Sequence, residues 1–308
     1  MKQVTKRRRW AAVAAIPVLA ALASACSSSS SSSSTAAPAS ASGSASASGS
    51  ASASSSVALP AAFQGKTLVS PVATGYPPYA YMSGSSITGI DPDISTALSG
   101  PFGQTVSVQA VSFEDSLLGL QKGSYFMVSG ADITAAREQT FDMVPYLADH
   151  YEFASLASKP ALGTSVSDLC GLTISTVAAD SSIPILKGYS TTCTTAGKKA
   201  ITVTTFPDQG SAVLAVESGR ADATTATVTN LGYVMTTTPG KFQLGGPKYD
   251  YVYIGIATQK GNGMASAVAS GVNALIADGK YAAILKQYGV TDDAITNATV
   301  NPNPTVSH

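Results

Sequence analysis

Residues 130–146, GADITAAREQTFDMVPY, concentrate polar chemistry in an otherwise apolar chain. Asp132, Thr134, Arg137 and Asp142 follow directly on a strand-like run at 125–129. A guanidinium at the mouth of a strand can grip a carboxylate through two parallel hydrogen bonds. That chemistry is binding rather than bond-breaking. The same residues also read as a surface loop leading into a helix, with Thr134 as its cap and Arg137 and Glu138 solvated. The only histidines are His150 and His308, and no cysteine–histidine group has metal spacing. A His-based metal centre or triad is therefore unsupported, and no cofactor is expected.

Other elements must present this stretch. Runs 66–72, 106–111 and 125–129 read as strands. Residues 90–98 read as a loop entering a helix. Residues 114–121 have helical spacing, with Leu117, Leu118 and Leu120 toward a core and Gly123 as the stop. GYPPYAYM, 75–82, is expected to be a loop because tandem prolines break helix and sheet. Beyond residue 144 comes a β-rich segment, YEFASL, and then strand–helix alternation starts afresh. Strands are expected at 172–177, 201–206, 221–226 and 249–258. Helices are expected at 182–189, 209–218, 228–235, 264–277 and 280–288. Alternation of this kind argues for an α/β fold with mostly parallel sheets under covering helices.

The order suggests two α/β lobes, the second inserted in the first, with crossings near 151–159 and 248–254. Residues 57–156 and 250–292 would form lobe 1, residues 157–249 lobe 2, and residues 293–308 a flexible tail.

The N-terminus has a different character. Lys2, Lys6, Arg7, Arg8 and Arg9 precede a short apolar run at 10–22, too short for a membrane span. Small residues and Cys26 follow. This segment, 1–26, resembles a bacterial lipoprotein signal with Cys26 as the lipidated residue, although Leu22 stands one place further back than usual. A non-lipidated secretory peptide is the alternative. Residues 27–56 are nearly all Ser and Ala, uncharged, and unable to bury a core. They read as a disordered tether with an end-to-end distance of roughly 30 Å.

Without the leader, thirteen basic and eighteen acidic residues remain, a formal −5. That argues against nucleic acid as a partner. Cys170 and Cys193 are then an even pair in an exported chain and read as a disulfide; two buried free thiols are the alternative.

Several motifs over 66–289 resemble, in order, those of the bacterial extracellular solute-binding proteins of family 3, the polar amino-acid receptors of ABC importers. GYPPYAY (75–81) looks like that family's GYPPF loop, and GIDPDIS (89–95) like GFDVDLA. VSFEDSLLGLQKGSY (111–125) is similar to its segment of a Phe, a helix and a closing Gly. GADITAARE (130–138) looks like GMTITPERE, ESGRADA (217–223) like LASGRVDA, and ADGKYAAILKQYG (277–289) like ADGTYAKIYKKWFG.

The resemblance implies a periplasmic-binding-protein type II fold, two lobes joined by a two-stranded hinge. It implies a monomeric receptor with no enzymatic activity, lipid-anchored on the outer face of the cell membrane. That receptor would close on an amino acid or close analogue and dock on ABC permease subunits. A sensing domain that signals through a partner is one alternative. A cyclohexadienyl-dehydratase-like enzyme is another.

The resemblance also implies roles. Arg137 would grip the ligand's α-carboxylate, Tyr76 and Phe113 would form an aromatic slot, and the backbone at Gly130 would add a polar contact. In the second lobe, the AADSS turn with Asp180 and Ser181 would bring a helix N-terminus to the carboxylate.

Three positions depart from the pattern. Thr227 stands where the family usually has the acid that binds the α-ammonium. Asp132 stands where it usually has Thr or Ser. AADSS, 178–182, replaces a Gly-Ser/Thr loop. One reading is that Asp132 supplies the missing carboxylate; the other is that Asp132 pairs with Arg137 internally.

Overall fold

The structure is a computed structural model that describes residues 56–248 and 251–302. The expected leader with Cys26, and the tether as far as residue 55, lie outside the described residues. Among the described residues no helix is long and apolar enough to cross a membrane.

The strands are β1 (Leu68–Val72), β2 (Gly75–Tyr76), β3 (Ala80–Ser83), β4 (Ser86–Thr88), β5 (Val106–Ala110), β6 (Val128–Asp132), β7 (Phe141–Leu156), β8 (Thr173–Val177), β9 (Thr202–Phe206), β10 (Ala223–Thr227), β11 (Phe242–Gly245) and β12 (Tyr251–Gln259). The helices are α1 (Ile90–Ala97), α2 (Ser99–Phe102), α3 (Phe113–Gln121), α4 (Ala135–Thr140), α5 (Ser182–Thr195), α6 (Gln209–Glu217), α7 (Val228–Thr237), α8 (Met264–Ala277) and α9 (Lys280–Tyr288).

The long strand β7 belongs to two sheets. Its first part pairs antiparallel with β12, from Phe141 opposite Gln259 to His150 opposite Tyr251. From Tyr151 onward it pairs with β10 on one edge and β11 on the other. The change of partner falls between His150 and Tyr151, earlier in the strand than the expected lobe boundary after residue 156.

On the first side, β12 lies between β6 and β7, and the parallel pair β1–β5 packs beside β6. On the second side, the order runs β11, β7, β10, β8, β9, with β8 parallel to both β9 and β10.

Each side has its own core. Ile90 and Ile94 of α1 and its capping residue Leu98 fall one helical turn apart and are buried in the same cluster as Val268, Val272 and Leu275 of α8. In the second core, Phe153, Ile174, Leu186 and Cys193 are buried in one cluster. β10, ATTAT, is buried along its whole length because β7 and β8 flank it. Small and β-branched residues suit such a strand, and its hydroxyls are satisfied: Thr225 donates to Glu152 O at 2.9 Å and Thr224 to Ser175 O at 3.1 Å.

Two expectations need correction. Residues 75–82 are not all loop: β2 and β3 pair across the Pro77–Pro78 turn, which contains a cis peptide bond, and β4 extends them to a small three-stranded sheet. The prolines occupy the turn, where their missing N–H groups cost no ladder bond.

The tail is also not flexible from 293 through 302. Asn301 N–H donates to Met143 O, its Oδ1 accepts from Met143 N–H, and its Nδ2 donates to Asp142. Ala298 and Asn273 exchange two hydrogen bonds, and Ile295 and Ala298 are buried.

Cys170 and Cys193 form a disulfide with 5.5 Å between their Cα atoms. It ties the turn before β8 to the far part of α5. Breaking it in a Cys170→Ala/Cys193→Ala variant should lower unfolding free energy by about 3 kcal/mol, the closure entropy of such a loop. Urea titration of the variant beside the parent measures this; equal midpoints would contradict it.

Candidate functional site

A cleft of about 580 Å³ opens between the two sides. The first side contributes Tyr76, Phe113, Gly130 and Asp132, and the second Val177, Asp180, Asp208, Gln209 and Thr227. Tyr151, at the crossing point of β7, also lines it.

The floor is built around Gly130. β12 pairs with Asp132 and Ala131 and then with Ser129, so Gly130 is an unpaired bulge residue in β6. On its other edge β12 skips Tyr146 of β7. Gly130 has φ +81°, which favours glycine, and a Cβ there would run into the Asp91 carboxylate. Asp91, in the first turn of α1 and 4% exposed, accepts a short hydrogen bond from Tyr146 OH. Burial pushes its carboxyl up to about 7, against the bond from Tyr146 that pulls it down.

Asp132 ends β6 and is the meeting point of both sides. It accepts from Tyr151 OH at 2.8 Å and from the Ser181 hydroxyl. Arg137 Nη1 lies 3.5 Å from its Oδ2 and donates to its backbone carbonyl at 2.8 Å. Arg137 reaches further: Nη2 donates to Ala179 O on the second side at 2.9 Å, and the guanidinium lies 5.1 Å from the centre of the Phe113 ring. Thr134 caps α4 by accepting from Arg137 N–H at 3.1 Å, which fixes where that side chain starts.

Asp180 faces Asp132 from the second side. Tyr151 OH is 3.2 Å from its Oδ2, while Oδ1 accepts from Ser182 N–H at 2.8 Å at the start of α5. Burial, and then the charge of Asp132, push the Asp180 carboxyl up to about 6.

Of the residues expected from the sequence, Tyr76, Phe113, Gly130, Asp132, Asp180 and Thr227 line the cleft together. Arg137 and Ser181 lie behind the lining, bonded to Asp132. Both readings of Asp132 find an observation: it lines the cleft and it lies beside Arg137. The N–H of Ser182 is taken by Asp180 itself, so this donor at the start of α5 is occupied. Thr227 lines the cleft with its own polar groups engaged in the fold. Its hydroxyl accepts from Asn230 N–H to cap α7, and its N–H donates to Tyr76 OH at 3.0 Å.

Tyr151, Asp91, Asp208 and Gln209 were not singled out as ligand contacts by the sequence. For Tyr151 a signal existed: alternation through YEFASL puts Tyr151, Phe153 and Ser155 on one face. Asp208 and Gln209 open α6, and only the packing of α6 against β2, where a Cβ on Gly75 would meet Asp208, brings them to the cleft.

Two α/β bodies that share a strand and line one cleft from both sides define a two-lobed binding protein of the type II periplasmic class. The family model for bacterial extracellular solute-binding proteins, family 3, matches residues 68–291. The chain belongs to that family.

Over 235 residues it is 26% identical to the arginine-binding protein ArgT of Corynebacterium glutamicum, covering 74% of this chain and 76% of that one. Among solved structures it is similar to the arginine-, lysine-, histidine-binding protein ArtJ from Geobacillus stearothermophilus, with TM-score 0.64 and 22% identity over 72% of this chain and 95% of that one. It is similar also to the ancestral amino acid-binding protein AncCDT-1, a precursor of cyclohexadienyl dehydratase, with TM-score 0.63 and 21% identity over 72% and 95% of the two chains. These two likenesses show the shared fold.

Two predictions follow from the floor of the cleft. Gly130→Ala should cost about 1–3 kcal/mol of stability, from the strained φ and the displaced Asp91, read by urea titration; an unchanged midpoint would mean that the bulge tolerates a side chain. The second concerns pH. Asp91 (to about 7), Asp180 and Asp293 (each to about 6) have carboxyls raised by burial. A raised acid binds its proton more tightly in the folded state, so stability rises as pH falls through the folded value toward the unfolded one. Melting temperature should climb on the order of 5 °C from pH 8 to pH 5.5, with a shallower climb in Asp91→Asn; a fall over that window would contradict the burial argument.

Proposed function

We propose that this chain is the solute receptor of an ABC importer, taking an amino acid or close analogue and acting from the outer face of the cell membrane. The observation that supports the reading is the cleft lined from both lobes in a member of a solute-binding family. The names of its relatives point to amino-acid ligands, arginine first. A ligand that touches both lobes favours the closed arrangement, and the permease then distinguishes loaded from empty receptor. Anchoring through Cys26 and a tether ending near residue 56 belongs to the same proposal. So does a boundary between the lobes at His150–Tyr151 and again between residues 246 and 250.

In this reading Arg137 takes the ligand's carboxylate. It stands against Phe113, and its Nη2, now on the Ala179 carbonyl, exchanges that partner for a charged one. Tyr76 and Phe113 wall the ligand, as aromatic groups do in most small-molecule sites. The dehydratase alternative rests on likeness of fold, and AncCDT-1 is itself named as an amino acid-binding protein.

A thermal-shift screen of the purified full chain tests the proposal. The panel holds amino acids, their decarboxylated amines, plain carboxylates and neutral sugars. A true ligand at about 100 times its dissociation constant should stabilise by about 2.7 kcal/mol. A shift with sugars alone would sink the amino-acid reading, and turnover of a bound compound would move the protein into the enzyme class. Arg137→Ala should weaken amino acids by about 2 kcal/mol, the scale of a charge-assisted hydrogen bond, while sparing the matching amines. Equal losses for both would remove Arg137 from the carboxylate.

A further inference from the structure

We propose that Gly75 sets how far the cleft closes. Its bare Cα lets the second lobe seat against β2, and any side chain at this position wedges the lobes apart while each lobe stays folded. This rests on the receptor reading, in which closure holds the ligand, and names the residue that permits it.

The first lobe does not itself need glycine at position 75. Gly75 is not among the glycines with positive φ, and it pairs as a strand residue with Tyr81 of β3. A Cβ is admissible in such a conformation. What a Cβ would meet lies in the other lobe. It would run into the Cβ of Asp208, with Asp208 Cγ at 3.2 Å and Asp208 Cα at 3.4 Å. Outside its own chain neighbours, the three atoms nearest to that Cβ all belong to this one residue.

Asp208 is not free to swing aside. The clash falls on its Cβ, next to the backbone, and not on the tip of a flexible chain. Its carboxylate is held on the first turn of α6: Oδ1 accepts from Ser211 N–H at 2.7 Å and Oδ2 from the Ser211 hydroxyl at 3.1 Å. The next residue, Gln209, is buried, and its amide donates to Thr224 Oγ1 of β10 at 3.0 Å. Displacing Asp208 therefore displaces the start of α6 against a fully buried strand of its own lobe, which a close-packed interior resists. Moving one lobe away from the other breaks only the contacts between them.

Those contacts form a row that begins at Gly75. Gly75 meets the start of α6, Tyr76 OH accepts from Thr227 N–H at the end of β10 at 3.0 Å, and the Pro77 carbonyl accepts from Asn230 Nδ2 of α7 at 2.6 Å. Three consecutive residues of the first lobe thus key into three elements of the second. Gly75, Tyr76, Asp208 and Thr227 also line the cleft, so the row borders the ligand space. A wedge at its first member lifts the others. Apparent affinity then falls by the factor by which the closed state is depleted, mostly through faster release.

Amide hydrogen exchange and calorimetric titration with arginine test this on the full chain, in the parent, in Gly75→Ala and in Gly75→Ala/Asp208→Gly. In the parent the Thr227 amide, donated to Tyr76 across the seam, should exchange slowly. Gly75→Ala should speed it at least about tenfold, while the other β10 amides keep the protection of the parent. The same variant should weaken arginine at least about tenfold. Asp208→Gly removes the clashing Cβ, and glycine is an adequate cap for α6. The double variant should therefore slow Thr227 exchange back toward the parent.

Equal Thr227 exchange in the parent and Gly75→Ala overturns the proposal. So does faster exchange along the whole of β10, which would mark a damaged lobe, or a double variant that exchanges no more slowly than Gly75→Ala. Arginine bound equally by the parent and Gly75→Ala overturns it as well. A parent that binds no arginine counts against the arginine-led receptor reading, and the exchange measurements still decide the wedge.

Discussion

The cleft depends on one buried carboxylate. Asp91 occupies the space that a side chain on Gly130 would need, and it is held there by the Tyr146 hydroxyl. Three elements meet at that contact: the first turn of α1, the bulge of β6 and the bulge of β7. The strand between the two bulges is β12, and its central residue is Gly255. A Cβ at Gly255 would meet the Val144 carbonyl and the Ile133 side chain. Two glycines therefore permit two strands to step out of register around a third. The result is that the end of β6 turns its polar residues toward the second lobe. Burying an acid at this point is unfavourable in isolation; here it sets the geometry of the site.

From that base the polar groups extend in a line toward the second lobe. Asp132 receives Tyr151 and Ser181, Arg137 crosses to the Ala179 carbonyl, and Tyr76 accepts from the backbone of Thr227. Asn230 adds a bond to the Pro77 carbonyl at 2.6 Å. These links lie on several elements of each lobe, and none is a large apolar contact. Polar contacts exchange readily with ligand or water. Apolar contacts cross as well: Tyr76 packs on the cluster of Ala154, Ala226 and Leu231, and the Tyr81 and Tyr233 ring centres lie 5.8 Å apart.

The chain sequence revealed the fold through recurring motifs and through alternation of strand and helix. It also pointed to residues 130–138, of which Gly130 and Asp132 line the cleft. Other features escaped it for physical reasons. The 16-residue strand β7 contains Pro145, whose missing N–H argues against a continuous strand; the bulge at Tyr146 absorbs it. β11 is four residues long and too short to carry a period. The docking of residues 293–302 rests on side-chain amides, Asn273 and Asn301, that carry no periodic signal. For Asp132 the sequence left two partners open, and the geometry explains why: the carboxylate faces both Arg137 and the cleft. Asp180 appeared only as part of an unusual turn, because its neighbours come from β6 and β7, far away in the chain.

The strand between β6 and β7 has a consequence for how the molecule comes into being. β12 is the last strand among the described residues, yet it occupies the middle of the first lobe's sheet. As the polypeptide emerges from its N-terminus, β6 and the first part of β7 have no neighbour to pair with until residue 251 and beyond arrive. The partners of the second lobe, from β8 to β11, are by contrast contiguous in sequence. The inserted lobe can close its sheet first, and the lobe that opens the chain is completed last. Long-range pairing of this kind is slow, and the sheet of β6, β12 and β7 waits on the far end of the chain.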